Sequence, residues 1–183
     1  VHRDWSTKWL HRLLVGSSVW RQQSQIRPPA AAVDPQNRLL WRVPLKRLDA
    51  EAVRDSLLAV VGDLNLRMLG PAVGVKTMAD GQVVTEDSAA GRRRSLYLLH
   101  RRSTPLTMLE TFDAPRITVN CIQRRTSNVV SQALLMLNSR FVDSSAGRLA
   151  ARLVRQTPHA RERVELAYHR ILGRPPQPSE LDQ

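Results

Sequence analysis

The sequence predicts a mainly α-helical, irregular multi-helix domain with a small β-hairpin or two-stranded element in its middle. Three observations carry this prediction. Ala50, Val53, Leu57, Val60 and Leu64 repeat at alternating intervals of three and four residues. The stretch TSNVVSQALLMLNS, from Thr126 to Ser139, has no charged residue over about four helical turns. Thr157, Pro158 and Gly173 bracket a third helical run with a cap, a first-turn proline and a terminating glycine.

Taken in order, the elements divide into a helical part over 1–65, a loop and β part over 66–125, and a second helical part over 126–183. The whole is expected to be one domain-like segment of a longer protein. Near the N-terminus, Trp5, Trp9 and Leu13 fall at helical spacing, Leu10 and Leu14 widen the stripe, and Gly16-Ser17-Ser18 should break it. Pro28-Pro29 and the three alanines after them read as a connector that cannot continue a helix. After Asp34, Pro35 to Trp41 reads as a short turn of helix with proline at its first position.

Asp49 looks like the cap of the next helix, and Glu51 adds negative charge to its first turn. Arg54 lies three before Leu57 and four before Leu58, so it should border the buried stripe and need a carboxylate partner. If helical geometry extends back one turn, Arg47, Glu51 and Asp55 stack on one face. Between 65 and 91, the pair Asp80-Gly81 separates short β-prone pieces, which suits either a hairpin or a mobile loop. RRRSLYLLHRR, over Arg92 to Arg102, reads as a strand, and ITVNCI, over Ile117 to Ile122, as a second.

In the charge-free segment, Thr126 or Ser127 can cap a helix whose stripe is Val130, Leu134, Leu137 and Phe141, with Ala133. Such a helix should be buried on most of its circumference, and Gln132 and Asn138 should find hydrogen bonds inside. Arg124 and Arg125 precede it at the wrong end for its dipole, so they are expected to pair elsewhere. A further helix over Ala146 to Arg155 rests on Leu149 and Leu153. The one after Pro158 rests on Val164, Tyr168 and Ile171, with Ala167 and Leu172 beside them. Pro175-Pro176 makes a corner before one more helix starts at Ser179-Glu180-Leu181.

Composition narrows the function classes. The net charge is +12, and 25 of the 28 basic residues are arginine. That balance fits a polyanion binder, but the arginines are scattered and aromatics are only 4%, too few for base-stacking platforms. The preferred reading locks the guanidinium groups onto acidic neighbours within the body, which makes nucleic acid an unlikely partner. Cys121 is the sole cysteine, so neither an internal disulfide nor a C-x-x-C site can form. The longest aliphatic run, Leu57 to Val61, is five residues, against about 20 for a membrane span.

Catalytic motifs are absent. The five histidines, at 2, 11, 100, 159 and 169, form no H-E-x-x-H. Gly16-Ser17-Ser18 lacks the second glycine of a nucleophile elbow, and Gly70 to Gly74 lacks the Lys-Ser/Thr ending of a phosphate loop. Asp80, Glu86 and Asp87 do not have calcium-loop spacing. Asp49, Glu51 and Asp55 have the chemistry of acid–base groups, but neighbouring Arg47 and Arg54 suit them to ion pairs.

The series WSTKWLHRL, SSVWRQQS, DPQNRLLWR, RLDAEAVRDSLLAV, RRSLY, FDAP, RRTSNVVSQALLMLNS and AYHRILGRPP resembles the planctomycete-associated domain of unknown function 1553. The resemblance runs from Trp5 to Pro176. It departs at Trp20, where tyrosine is expected, and between Gly70 and Arg92, where the chain is divergent and short. It implies a domain at the C-terminal end of large, usually secreted proteins, behind another uncharacterised domain and often a planctomycete-type cytochrome c module. The setting implied is therefore extracytoplasmic. A haem c would belong to that other module, so no cofactor or metal is expected in this segment. No activity is attached to the family, and no catalytic residue carries over. The motif positions are Arg47, Asp49, Glu51, Arg54, Asp55, Arg93, Arg124, Arg125, Asn128, Gln132 and Asn138, candidates for a polar network or partner contacts. The expected role is structural or interactive, with other domains of the same parent chain as partners; whether a small-molecule ligand exists is left open. The alternatives are part of an enzyme acting on an extracellular polymer, its carboxylate–arginine pocket shared with a neighbouring domain, and a nucleic-acid-binding domain.

Overall fold

Local capping chemistry starts the first helix. In the computed structural model, which describes residues 5–116, 124 and 126–181, the Ser6 hydroxyl accepts from Trp9 N at 3.3 Å and opens α1 (Thr7–Gly16). Ser17 turns extended and ends it, as Gly16-Ser17-Ser18 predicts. The chain divides into two units, Val1–Arg47 and Leu48–Gln183.

Within the first unit, Pro28 and Pro29 occupy the opening turn of a helix, α2 (Pro28–Val33), and do not form the expected connector. Proline lacks only an amide that a first turn leaves free, so it can start the helix it could not continue. The expected helical turn over 35–41 is also absent. Asp34 instead organises turns: its carboxylate accepts from Leu39 N at 2.7 Å, and its carbonyl accepts from the Trp41 indole at 2.8 Å. Asn37, in the left-handed region at φ 55°, brackets Arg42 through its side-chain amide. Arg27 donates to the Trp41 carbonyl at 2.8 Å and, like Arg42, lies over its ring. Asp34 is the one described residue of this unit that is buried.

The second unit is built around α3 (Ala50–Val61). Asp49 does hold the N-cap position, though its carboxylate makes no capping hydrogen bond. Gly62, at φ 78°, takes the left-handed conformation that ends the helix. The helix starts at Ala50 and does not extend back to Arg47. Its buried face is Ala50, Arg54, Leu58 and Val61, so Arg54 sits in the middle of the stripe and not at its border.

Next comes the hairpin, β1 (Val75–Thr77) with β2 (Val83–Thr85), antiparallel with Lys76 opposite Val84. Its turn closes through Gly81, at φ 82°, as Asp80-Gly81 predicts. The segment after it is not a strand. Ser95–Tyr97 forms one 3₁₀ turn, and the neighbouring backbone makes only isolated bridges, Asn65 with Arg93 and Val73 with Leu98. One residue opposite another pairs there, so the arginines and leucines never line up along an edge. The second expected strand, over 117–122, lies outside the described residues.

Four helices and a final turn complete the unit: α4 (Thr107–Thr111), α5 (Val130–Asn138), α6 (Arg140–Gln156), α7 (Ala160–Leu172) and α8 (Pro178–Leu181). Helix α3 packs on α4, α6 and the 3₁₀ turn, while α5 packs on α4 and α6, and α7 on α6. One apolar cluster joins Ala50, Leu98, Leu106, Met108, Leu109 and Phe112; a second joins Val61, Leu149 and Leu153. The result is mainly α with a two-stranded sheet in its middle, the class expected.

Two helices differ from their predicted faces. Helix α5 turns Gln132 inward, with Leu135 and Met136 partly buried, whereas Val130, Leu134 and Leu137 are exposed, Leu137 to 79%. Absence of charge records an apolar surface, not what covers it. Neither Thr126 nor Ser127 caps this helix; Val129 holds that position. On α7, Leu166 and Ala167 meet the core, and Ile171 and Leu172 are exposed. Its N-cap is His159, whose amide donates to Thr157 Oγ1 at 3.3 Å, while the Thr157 hydroxyl donates to Glu162.

Candidate functional site

The N-terminal turn of α3 brings acidic groups to one place. Asp49, just before the helix, and Glu51 and Asp55, one turn apart, line an open cleft of about 590 Å³. Arg94, Ser95, His100 and Arg124 form its other side. Arg124 grips Glu51 with both guanidinium nitrogens, at 2.6 and 3.1 Å, and stands 3.7 Å from Asp49. This is the fork geometry that arginine offers a carboxylate. Arg124 therefore pairs away from the helix it precedes, as expected.

Burial raises the Glu51 carboxyl, but its hydrogen bond to Arg124, its own backbone amide and the charges of Arg124 and His100 bring it net below the ordinary value of 4.5. Glu51 is thus held as an anion, better suited to an ion pair than to proton donation. A depressed carboxyl stabilises the fold fully above its unfolded value. That contribution fades as pH falls through the lower, folded value. Glu51→Gln should therefore lose melting temperature at neutral pH and show a shallower decline from pH 4.5 downward, read from thermal melts against pH.

Behind the cleft wall, Arg54 is 1% exposed and donates to main-chain oxygens: Gly91 O at 2.5 Å and Arg93 O at 3.0 Å. It also reaches Ser95 Oγ at 3.3 Å and stands 3.5 Å from Asp55. Asp55 in turn accepts from Ser95 N at 2.8 Å and from the Ser95 hydroxyl at 2.7 Å. Burial pulls the Arg54 guanidinium below its ordinary range, and Asp55 opposes that; arginine remains charged at such sites. Arg93 does the same work one loop away. It donates to Leu69 O at 2.5 Å, Pro71 O at 3.1 Å and Arg67 O at 3.3 Å, with its guanidinium 4.1 Å from the Tyr97 ring centre. Arginine–carboxylate pairs do form, as expected, at Arg54, Arg92, Arg116, Arg124, Arg148, Arg161 and Arg174. What the expectation lacked is that the two buried guanidiniums, Arg54 and Arg93, staple loops through carbonyls.

Of the motif positions, Asp49, Glu51, Asp55 and Arg124 share the cleft, and Arg54 and Arg93 support its wall. Arg47 belongs to the first unit. Gln132 is buried and donates to Thr111 O and Ser127 Oγ, at 3.1 and 3.2 Å. Asn128 and Asn138 are exposed, so the internal partners expected for Asn138 are not its role; it lines a groove beside the hairpin turn. Arg125 and Cys121 lie outside the described residues.

Several contributors were not singled out by spacing. Asp113, at φ 63°, accepts from Ser127 N at 2.7 Å and from the Ser127 hydroxyl. Asp63, Asp87, Arg92 and Arg148 form a four-membered ion network, with Arg148 2.6 Å from Asp63 and Arg92 2.9 Å from Asp87. Only the FDAP and RRTSN motifs hinted at the first; no sequence signal marks the second. Among the described residues no His, Cys, Asp or Glu group is placed to hold a metal, and no helix is long and apolar enough to cross a membrane.

Fold and cleft together define a mainly helical module whose loops are stapled by buried arginines. The chain belongs to the PSD1 family, described as protein of unknown function (DUF1553), which matches residues 1–183. No curated protein and no solved structure matches it.

Proposed function

We propose that this domain is a docking module, structural in role, that packs against another domain of its parent chain. The observation that supports this is the apolar side of α1. Trp9, Leu10, Leu13 and Leu14 are exposed, as are Trp5 (89%) and Trp20, while no apolar described residue of that unit is buried. A 47-residue unit with no apolar core of its own needs a partner surface to be stable. Charge says what that surface is: residues 5–33 carry Lys8, Arg12, Arg21 and Arg27 and no acidic residue. The partner face is therefore apolar with an acidic rim. We take the neighbour to be a second uncharacterised domain or a cytochrome c module, where haem c would sit, in an extracytoplasmic protein; what supports this is the family resemblance alone.

All four tryptophans, at 5, 9, 20 and 41, fall in the first unit, so fluorescence reads it selectively. In the full-length protein, tryptophan emission should be blue-shifted and shielded from acrylamide, and Leu13→Glu should red-shift it and lower the melting temperature of the partner domain. Freely quenched tryptophans in the intact protein would refute the docking role. Recovery of that protein in the cytosolic fraction would refute the extracytoplasmic setting. The enzyme reading gains less support, since the cleft carboxylates are already engaged by Arg124 and Ser95.

A further inference from the structure

Beside the carboxylate cleft lies a second recess, of about 420 Å³, with the opposite charge. It is lined by Arg101, Arg102, Arg116 and His100, with Glu110 the one acidic residue among them. Arg116 takes up that carboxylate at 3.0 Å. Arg101 and Arg102 make neither an ion pair nor a side-chain hydrogen bond among the described residues. Both are exposed, unlike the more buried guanidiniums of this unit, which are engaged by the protein itself: Arg92 and Arg148 on carboxylates, Arg54, Arg93 and Arg152 on carbonyls. Two adjacent forks at the recess are therefore open to a ligand from solvent. Pro105 and Pro115, whose φ angles are locked by their rings, also line the recess.

We infer that this recess binds a small organic ligand through one tetrahedral oxyanion, a phosphate or sulfate group. Arginine forks match the oxygens of such a group bidentately. The volume exceeds what a bare ion needs and falls in the range of small-molecule sites, roughly 300–1,000 Å³. A polyanion fits less well. The cleft that shares His100 and Pro115 with the recess is walled by Asp49, Glu51 and Asp55, which would repel a continuing phosphate backbone. The inference is independent of the docking role, since it concerns the second unit alone.

The test is calorimetric titration of the full chain with inorganic phosphate, inorganic sulfate and phenyl phosphate. Saturable binding is expected, tightest for phenyl phosphate, with phosphate and sulfate distinguishing the two ester types. Arg101→Gln with Arg102→Gln should weaken it at least tenfold without moving the melting temperature, because neither side chain has a partner to lose. Arg155→Gln, an exposed arginine away from the recess, should leave it unchanged. No saturable binding, or equal weakening by Arg155→Gln, overturns the site. Duplex DNA binding more tightly than phenyl phosphate at physiological salt, and persisting in the double variant, overturns it in favour of a general cationic surface.

Discussion

Arg54→Met is expected to destabilise the domain by about 4 kcal/mol, a large share of the roughly 5–15 kcal/mol that holds a domain together. Methionine fills much of the space and removes a charge, which at some buried ion pairs is harmless because both partners leave together. Here the partners stay. The carbonyls of Gly91 and Arg93, the Ser95 hydroxyl and the Asp55 carboxylate would all face a thioether. Each buried group left unsatisfied costs about 1–3 kcal/mol. Arg54→Lys keeps the charge but not the fork that spans two carbonyls, so about half the loss should remain. Urea denaturation followed by circular dichroism measures both. If Arg54→Met lies within about 1 kcal/mol of the parent protein, the staple contributes little and the carbonyls have found water.

The second large effect comes from a glycine that no turn rule picks out. A Cβ at Gly91 would sit 1.8 Å from the Glu86 carbonyl oxygen, a backbone atom that no side-chain rotation can move. Gly91→Ala must therefore open the 86–91 loop, whose Gly91 carbonyl is a ligand of Arg54 and whose Gly91 amide donates to Ser88 Oγ. A loss of about 3 kcal/mol is expected. Gly74→Ala is the control. Nothing lies within 4 Å of its Cβ, so its stability should stay within about 0.5 kcal/mol of the parent. Since Arg54 and Gly91 hold the same loop, Arg54→Met and Gly91→Ala should cost less together than the sum of their separate effects. Full additivity would mean that the two residues support different structures.

These two positions mark where sequence reasoning stops. The eleven motif residues contain Arg54 but not Gly91, Ser95 or Asp113, because a close approach between loops leaves no spacing signature. Arg54 falls on α3 with a carboxylate partner, Asp55, as its position predicts, but its carbonyl partners have no sequence signal. Its carbonyl ligands lie 37 and 39 residues along the chain, the first just before and the second within a segment whose hydrophobic pattern reads as strand. The Glu51–Arg124 pair, 73 residues apart, was legible only as two charges each needing a partner.

What the amino-acid order determines here is local. Ser6 opens α1, Gly62 and Gly173 end α3 and α7 in the left-handed region, and Asp80-Gly81 turns the hairpin. Each depends on the conformational reach of one residue and the hydrogen bonds of its immediate neighbours. Which face of α3 is buried, that α5 leaves Leu134 and Leu137 in solvent, and that guanidiniums close loops through carbonyls were decided only in three dimensions. Periodicity says that a helix has an apolar side; only the elements that arrive from elsewhere in the chain determine which side is covered.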